Sequence, residues 1–227
     1  MAQNITGLRS ILSHPSVYDL FSRVLGSQSA RRTVADEYIR ARPGDRILDI
    51  GCGTAETLAH LPDVEYHGFD LNPAYINAAQ QRFGSRGTFH CQALDPDSHH
   101  DVSQCDIVLA LGVLHHLDDE DAINLFTLAR QVLKPDGRLV TIDPCLVDPQ
   151  SRVARYLINR DRGQNIRTEP GYRGLAATVF ANPTVRVRHD LLRIPYTHII
   201  TECTDRCPPP TTVPTDAAKP EPAHVSP

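Results

Sequence analysis

The run RILDI at residues 46–50 is almost continuously apolar, and it leads straight into GCGTAE, a turn built on Gly51 and Gly53. A strand whose apolar residues are consecutive is covered on both faces, as in a parallel sheet held between layers of helix. The rest of the chain keeps the alternation that such a sheet requires. VEYHGFD (64–70), GTFHCQAL (87–94), CDIVLALG (105–112) and GRLVTID (137–143) read as strands. Between them, 54–60 suits a short helix, and PAYINAAQQRF (73–83) a longer one with Pro73 in its first turn. The clearest helix spans 118–133. It opens on DDED, which suits the positive end of a helix dipole, and repeats apolar residues at Ile123, Phe126, Ala129 and Leu133 before KPDG stops it. Two late strands, TVRVRHDLL (184–192) and YTHIITEC (196–203), are joined so closely that they must form a hairpin, so the last strand is antiparallel to its neighbour. The expectation is an α/β fold: a doubly wound, seven-stranded, mostly parallel sheet with an antiparallel final strand and helices on both faces.

The domain organisation follows from the flanks. Residues before Pro43 suggest two helices, near 16–25 and 28–41, so 1–42 is read as a helical cap on a domain of 43–204. Within that domain, 145–180 is an insertion rich in arginine, with Gly163, Gly171 and Gly174 as candidate hinges of a lid. Residues 205–227 are crowded with proline and hold almost no large apolar side chain, which predicts a disordered tail. The 227 residues are 41% hydrophobic and 22% charged, with a net charge of −4, the composition of a soluble globular protein. No basic field invites nucleic acid or an anionic membrane, no apolar run approaches membrane-spanning length, and the N-terminus lacks a secretion signal. The reading is a cytoplasmic monomer or homodimer with no nucleic-acid or membrane partner. Its six cysteines are spread widely and read as reduced thiols, and no metal site is expected.

The glycine turn is the candidate ligand site, because such sheets bind ligands at the C-terminal edge of their strands. Gly51 and Gly53 let the backbone bend and approach a ligand closely. Asp70, about 20 residues on, ends the next strand, where a carboxylate accepts both ribose hydroxyls of an adenosine. A dinucleotide fold would add a third glycine at the sixth position of the motif. Glu56 stands there instead, and its charge would repel a diphosphate. Asp49, closing the strand, favours a cationic ligand.

The chain resembles the class I S-adenosylmethionine (SAM)-dependent methyltransferases. The matching pieces are ILDIGCGTAET, YHGFDLNPAYI, DIVLALGVLHHLDDEDA and LARQVLKPDGRLVTID, in the family's order and spacing. The resemblance implies a Rossmann-like domain with SAM as cofactor. It places Asp49, Gly51, Cys52 and Gly53 at the amino acid end of SAM, Asp70 on the ribose and Leu71 against the adenine. Ala93 and Leu94 would border the adenine edge, and Leu111 and Gly112 the methionine portion. Two departures stand out. Ala55 replaces a common third glycine, predicting a slightly tighter turn, and Gln92 precedes Ala93 where the family often has an acid.

Methyl transfer is an in-line displacement at a sulfonium, so it depends chiefly on alignment, worth up to roughly 7–11 kcal/mol in model systems, and on exclusion of water. An acceptor that must lose a proton also needs a base. His116 and His115, in VLHHLDD after the fourth strand, are the candidates, with His116 preferred. Tyr18, Arg160 and Arg162 are the candidate substrate contacts, the arginines suggesting an anionic or sugar-like acceptor. The function expected is methyl transfer to a small molecule, at oxygen rather than nitrogen. The alternatives are a non-catalytic SAM-binding subunit and, further off, a nicotinamide-dependent oxidoreductase.

Overall fold

The structure, a computed structural model, describes residues 27–94, 102–161 and 163–205. Seven strands form one sheet in the order β3-β2-β1-β4-β5-β7-β6. These are β1 (Arg46–Ile50), β2 (Glu65–Phe69), β3 (Thr88–His90), β4 (Cys105–Leu111), β5 (Leu133–Pro144), β6 (Thr184–Arg188) and β7 (His198–Cys203). The first five are parallel, while β7 runs antiparallel to both β5 and β6. The order reverses between β1 and β4, so the loops after these two strands open a crevice at the shared C-terminal edge.

Consecutive apolar residues serve opposite faces, as the RILDI run requires. Leu48, Val108, Ala110, Leu139 and Ile199 face one apolar cluster, shared with α3 (Asp119–Val132) and α5 (Glu169–Ala177). Their chain neighbours Ile47, Ile107, Leu109, Val140 and Ile200 face the other, shared with α1 (Ser27–Val34), the wider turn Ala35–Ile39 and α2 (Pro73–Phe83). The helix starts are set by the predicted chemistry. The Asp118 carboxylate accepts from the Asp121 N–H at 2.9 Å to cap α3, and the Asn72 side chain caps α2 ahead of Pro73.

Some expectations are shortened or redistributed. The third strand keeps only Thr88–His90 of 87–94, and β6 ends at Arg188 rather than 192. Strand β5 starts early, at Leu133, which pairs with Cys105, and KPDG bulges out before the register resumes at Arg138. The insertion 145–180 divides in two. Its first half holds α4 (Arg152–Ile158), whereas α5 buries Tyr172, Leu175 and Ala176 in the sheet layer. Gly171 and Gly174, read as hinges, lie within α5 rather than in a loop between elements. The helix near 16–25 with Tyr18, the candidate substrate contact Arg162, and the tail beyond Asp205 fall outside the described residues. No helix among the described residues is long and apolar enough to cross a membrane.

Candidate functional site

Four loops meet at the C-terminal edge of the parallel strands. After β1 the chain turns through Gly51 (φ 71) and Gly53 (φ 55), both left-handed, and Ala55 comes next at φ 54. Alanine thus holds the conformation that glycine would adopt freely, at a backbone cost of about 1–2 kcal/mol. The chain then makes a single tight turn, Glu56–His60, rather than an α-helix. Glu56 does not face the glycine turn; it pairs with Arg82 of α2. The N–H groups of Gly51 and Cys52 both reach the Phe69 carbonyl, at 2.8 and 3.0 Å, and tie the turn to the end of β2.

Asp70 closes this arrangement. Its Oδ2 accepts from the Gly53 N–H at 3.0 Å and its Oδ1 from the Asn72 N–H at 2.8 Å. Leu71, the next residue, is 74% exposed, an unusual position for a large apolar side chain. A Cβ added at Gly53 would meet nothing within 4 Å, whereas one at Gly51 would lie 2.7 Å from Val113 Cγ2. The loop after β4, through Leu111 and Gly112, is thus pressed against the first turn. Ala93 is exposed and Leu94 half-buried near the end of β3. The edge therefore brings together Asp49, Gly51, Cys52, Gly53, Asp70, Leu71, Leu111 and Gly112.

Asp49 is 2% exposed. Its Oδ2 accepts from the Tyr66 hydroxyl at 2.6 Å, while its Oδ1 is buried without a partner among the described residues. Burial pushes its carboxyl up to about 7, opposed by the Tyr66 hydrogen bond and assisted by the charge of Asp70. Burial likewise raises the Cys52 thiol far above its usual range, so it sits there as a neutral side chain.

The two histidines part company. His115 is 6% exposed, and His116 lies exposed with its ring 4.1 Å from that of His115. His115 Nδ1 meets Asp143 Oδ1 at 2.8 Å, and its Nε2 meets Asp161 Oδ1 at 3.3 Å. Two carboxylates on the two ring nitrogens make both of them donors, which is the imidazolium form. Burial alone would lower the His115 pKa, but the hydrogen bonds and charges of Asp143 and Asp161 outweigh it and push it up to about 9. Asp161 is itself held by the Tyr196 hydroxyl at 2.8 Å and the Gly163 N–H at 3.1 Å. Burial would raise its carboxyl, but these donors and His115 hold it well below the usual carboxylate range.

Sequence reasoning missed Asp143, Asp161 and Tyr66, and it read Gly163 only as a candidate hinge and Arg167 only as part of an arginine-rich insertion. A Cβ at Gly163 would fall 2.0 Å from the His115 ring, so glycine is what lets the insertion lie flat on it. Arg167 donates to the Leu114 and Leu117 carbonyls, at 3.0 and 2.8 Å, and to Asp119, tying the insertion to the histidine loop. Arg155 donates to the Val147 carbonyl and Arg173 to Glu169. Arg160 stacks over Tyr156, 4.7 Å from the ring centre. A hollow lined by Gln104, Arg130, Lys134 and Asp205 lies at the opposite end of the sheet and contains none of the predicted site residues.

The known proteins that this chain resembles include methyltransferases. Residues 48–139 match a family described as a methyltransferase domain. The O-methyltransferase cnsE of Penicillium expansum is 30% identical over 156 residues, covering 60% of this chain and 54% of that protein. The 27-O-demethylrifamycin SV methyltransferase of Amycolatopsis mediterranei is 35% identical over 118 residues, covering 47% of this chain and 41% of that protein. The chain thus spans about half the length of the curated relatives it matches. Among solved structures, the SAM-dependent methyltransferase SibL superposes with a TM-score of 0.66 at 17% identity, over 88% of this chain and 60% of that one.

Proposed function

We propose that the chain is a class I SAM-dependent methyltransferase and that it transfers the methyl group of SAM to an oxygen of a small-molecule acceptor. The observation that carries this reading is Asp49. A buried carboxylate with one unpartnered oxygen, beside a glycine turn, is a counter-charge in want of a cation. It would repel the diphosphate of a nicotinamide dinucleotide and suits the ammonium and sulfonium of SAM.

The remaining groups fit the same ligand. SAM, when bound, supplies a methyl group on a positively charged sulfur. Asp70 is fixed by two backbone N–H groups, and its remaining lone pairs can accept the ribose hydroxyls. The exposed Leu71 offers an apolar surface to the adenine. The open space at Gly53 admits the ligand to the backbone. Leu111 and Gly112, pressed toward the first turn, border the methionine portion.

An oxygen acceptor must lose its proton, and His116 is the base we assign. It is exposed at the mouth of the edge, whereas both nitrogens of His115 donate to carboxylates and leave it no lone pair. One observation favours a second reading. Asp143 fixes Nδ1 of His115, so withdrawal of Asp161 would uncover Nε2 and turn His115 into the base. His116→Gln is expected to lower kcat at least about a hundredfold, the typical share of a general base. If that variant loses less than threefold while His115→Gln loses a hundredfold, the second reading replaces the first.

An anionic or sugar-like acceptor draws less support from the insertion than its arginine content suggests. Arg155, Arg167 and Arg173 are committed to carbonyls and carboxylates of the fold, and of the predicted pair only Arg160 lies among the described residues. The decisive experiment follows tritium from methyl-labelled SAM into a metabolite extract. A labelled product establishes transfer and names the acceptor, and it excludes a merely cofactor-binding subunit. Calorimetry with S-adenosylhomocysteine and with NAD tests the cofactor; binding of NAD alone would overturn the assignment.

A further inference from the structure

Tyr66 sits in the middle of β2, where a tyrosine reads as ordinary core. Its surroundings show a built seat. In the β1–β2 register Tyr66 lies opposite Ile47 and Gly68 opposite Asp49. The Tyr66 ring therefore has to lean along the strand, across Gly68, for its hydroxyl to reach Asp49. Glycine at position 68 leaves the room for this. A Cβ at Gly68 would lie 3.1 Å from Tyr66 Cε1 and 2.8 Å from Cys52 Sγ. On the other side, a Cβ at Gly87 would lie 2.9 Å from Tyr66 Cδ1. Two glycines on neighbouring segments thus cradle one ring, and Phe89 packs on it with centroids 5.8 Å apart. The result is a 2.6 Å hydrogen bond between two side chains that are each 2% exposed.

We propose that Tyr66 is a positioning residue for the cofactor: by holding Oδ2 of Asp49 it sets the carboxylate's orientation and reserves Oδ1 for the cationic end of SAM. The proposal rests on the cofactor reading given above. A carboxylate free to rotate in a dry site could satisfy either oxygen with any passing donor. With one oxygen fixed, the other has a single direction and its pairing waits for the ligand. The titratable groups around Asp49 are Tyr66 on β2, Asp70 at the end of β2 and Cys52 in the glycine turn; its strand partner on β4, Leu109, is apolar. Of these, the Tyr66 hydrogen bond favours the carboxylate, against burial and the charge of Asp70. Tyr66 therefore also shifts Asp49 toward its ionised form, the form that the cation needs.

The test is Tyr66→Phe, which keeps the ring and removes the hydroxyl. Gly68→Ala, which crowds the ring away from Asp49 and keeps the hydroxyl, is the second variant should the first fold poorly. Two readouts are taken. One is the titration of the Asp49 carboxyl carbon by NMR in the ligand-free protein. The other is S-adenosylhomocysteine affinity by calorimetry between pH 5.5 and 9. The expected result is an Asp49 midpoint at least about one pH unit higher in the variant, with affinity at pH 7 lowered about tenfold and partly recovered at alkaline pH. A loss of stability with no movement of the midpoint would make Tyr66 merely structural and overturn the proposal. A moved midpoint with unchanged affinity overturns it too, while wild-type binding leaves the cofactor reading standing. Failure of the wild type to bind at any pH overturns the cofactor reading itself, and this inference with it.

Discussion

Asp143→Ala should lower the free energy of unfolding by about 3–5 kcal/mol, the cost of breaking a buried ion pair from one side. Asp143 is 1% exposed at the end of β5 and accepts from both the backbone N–H and the Nδ1 of His115, at 3.1 and 2.8 Å. Alanine would strand both donors in the interior and leave a cavity beside them. Asp161 contacts the same ring from the insertion, but its side chain is 28% exposed and water can replace it. Asp161→Ala should therefore cost only about 1–2 kcal/mol. Urea unfolding at pH 7 measures both, and a larger loss from Asp161 than from Asp143 would refute this ordering.

The same cluster sets an alkaline limit. His115 is pushed up to about 9 in the fold, against about 6.5 in an unfolded chain. The folded state thus binds the proton more tightly, so this contribution is complete below about pH 6.5 and is lost as pH rises through 9. Asp161 works in the opposite direction: its carboxyl is held low, so its contribution is present above about pH 4 and is lost on acidification. Wild-type stability should fall between pH 7 and 9.5, and Asp143→Ala should flatten that fall.

What the sequence disclosed and what it hid divide along physical lines. The alternation of strands and helices, the α3 start at Asp118 and the glycine turn with Asp70 are local patterns, written in residues close together in the chain. They place the sheet and its ligand edge. The hairpin argument put the last strand antiparallel, and β7 does insert between β5 and β6 in that sense. The His115 clamp is different. Its carboxylates come from the end of β5 and from the insertion, and nothing in VLHHLDD hints that one histidine is buried while its neighbour is exposed. The arginines misled for a related reason. Composition suggests a positive surface, but Arg167 turns inward to carbonyls of the histidine loop. Tyr66 left only a faint trace: glycines at 68 and 87, within or beside strands that have no turn to make, signal a close approach.

Gly51→Ala should weaken S-adenosylhomocysteine binding by at least about a hundredfold. The position combines two demands. Its φ of +71 lies in the left-handed region, costing an alanine about 1–2 kcal/mol. Its Cβ would also lie 2.7 Å from Val113 Cγ2, and Val113 is β-branched with little freedom to turn aside. Overpacking of that kind costs about 1–3 kcal/mol. The strain can be relieved only by parting the loops after β1 and β4, and those loops form the two walls of the proposed cofactor site. At about 1.4 kcal/mol per tenfold, the combined strain corresponds to two or three orders of magnitude in affinity. Gly44→Ala separates this effect from backbone strain alone. Gly44 has φ +84 and open space around it, and it lies ahead of β1, away from the ligand edge. That variant should lose about 1–2 kcal/mol of stability and keep its affinity. A folded Gly51→Ala protein that still binds within threefold of wild type would mean that the two loops do not enclose the ligand.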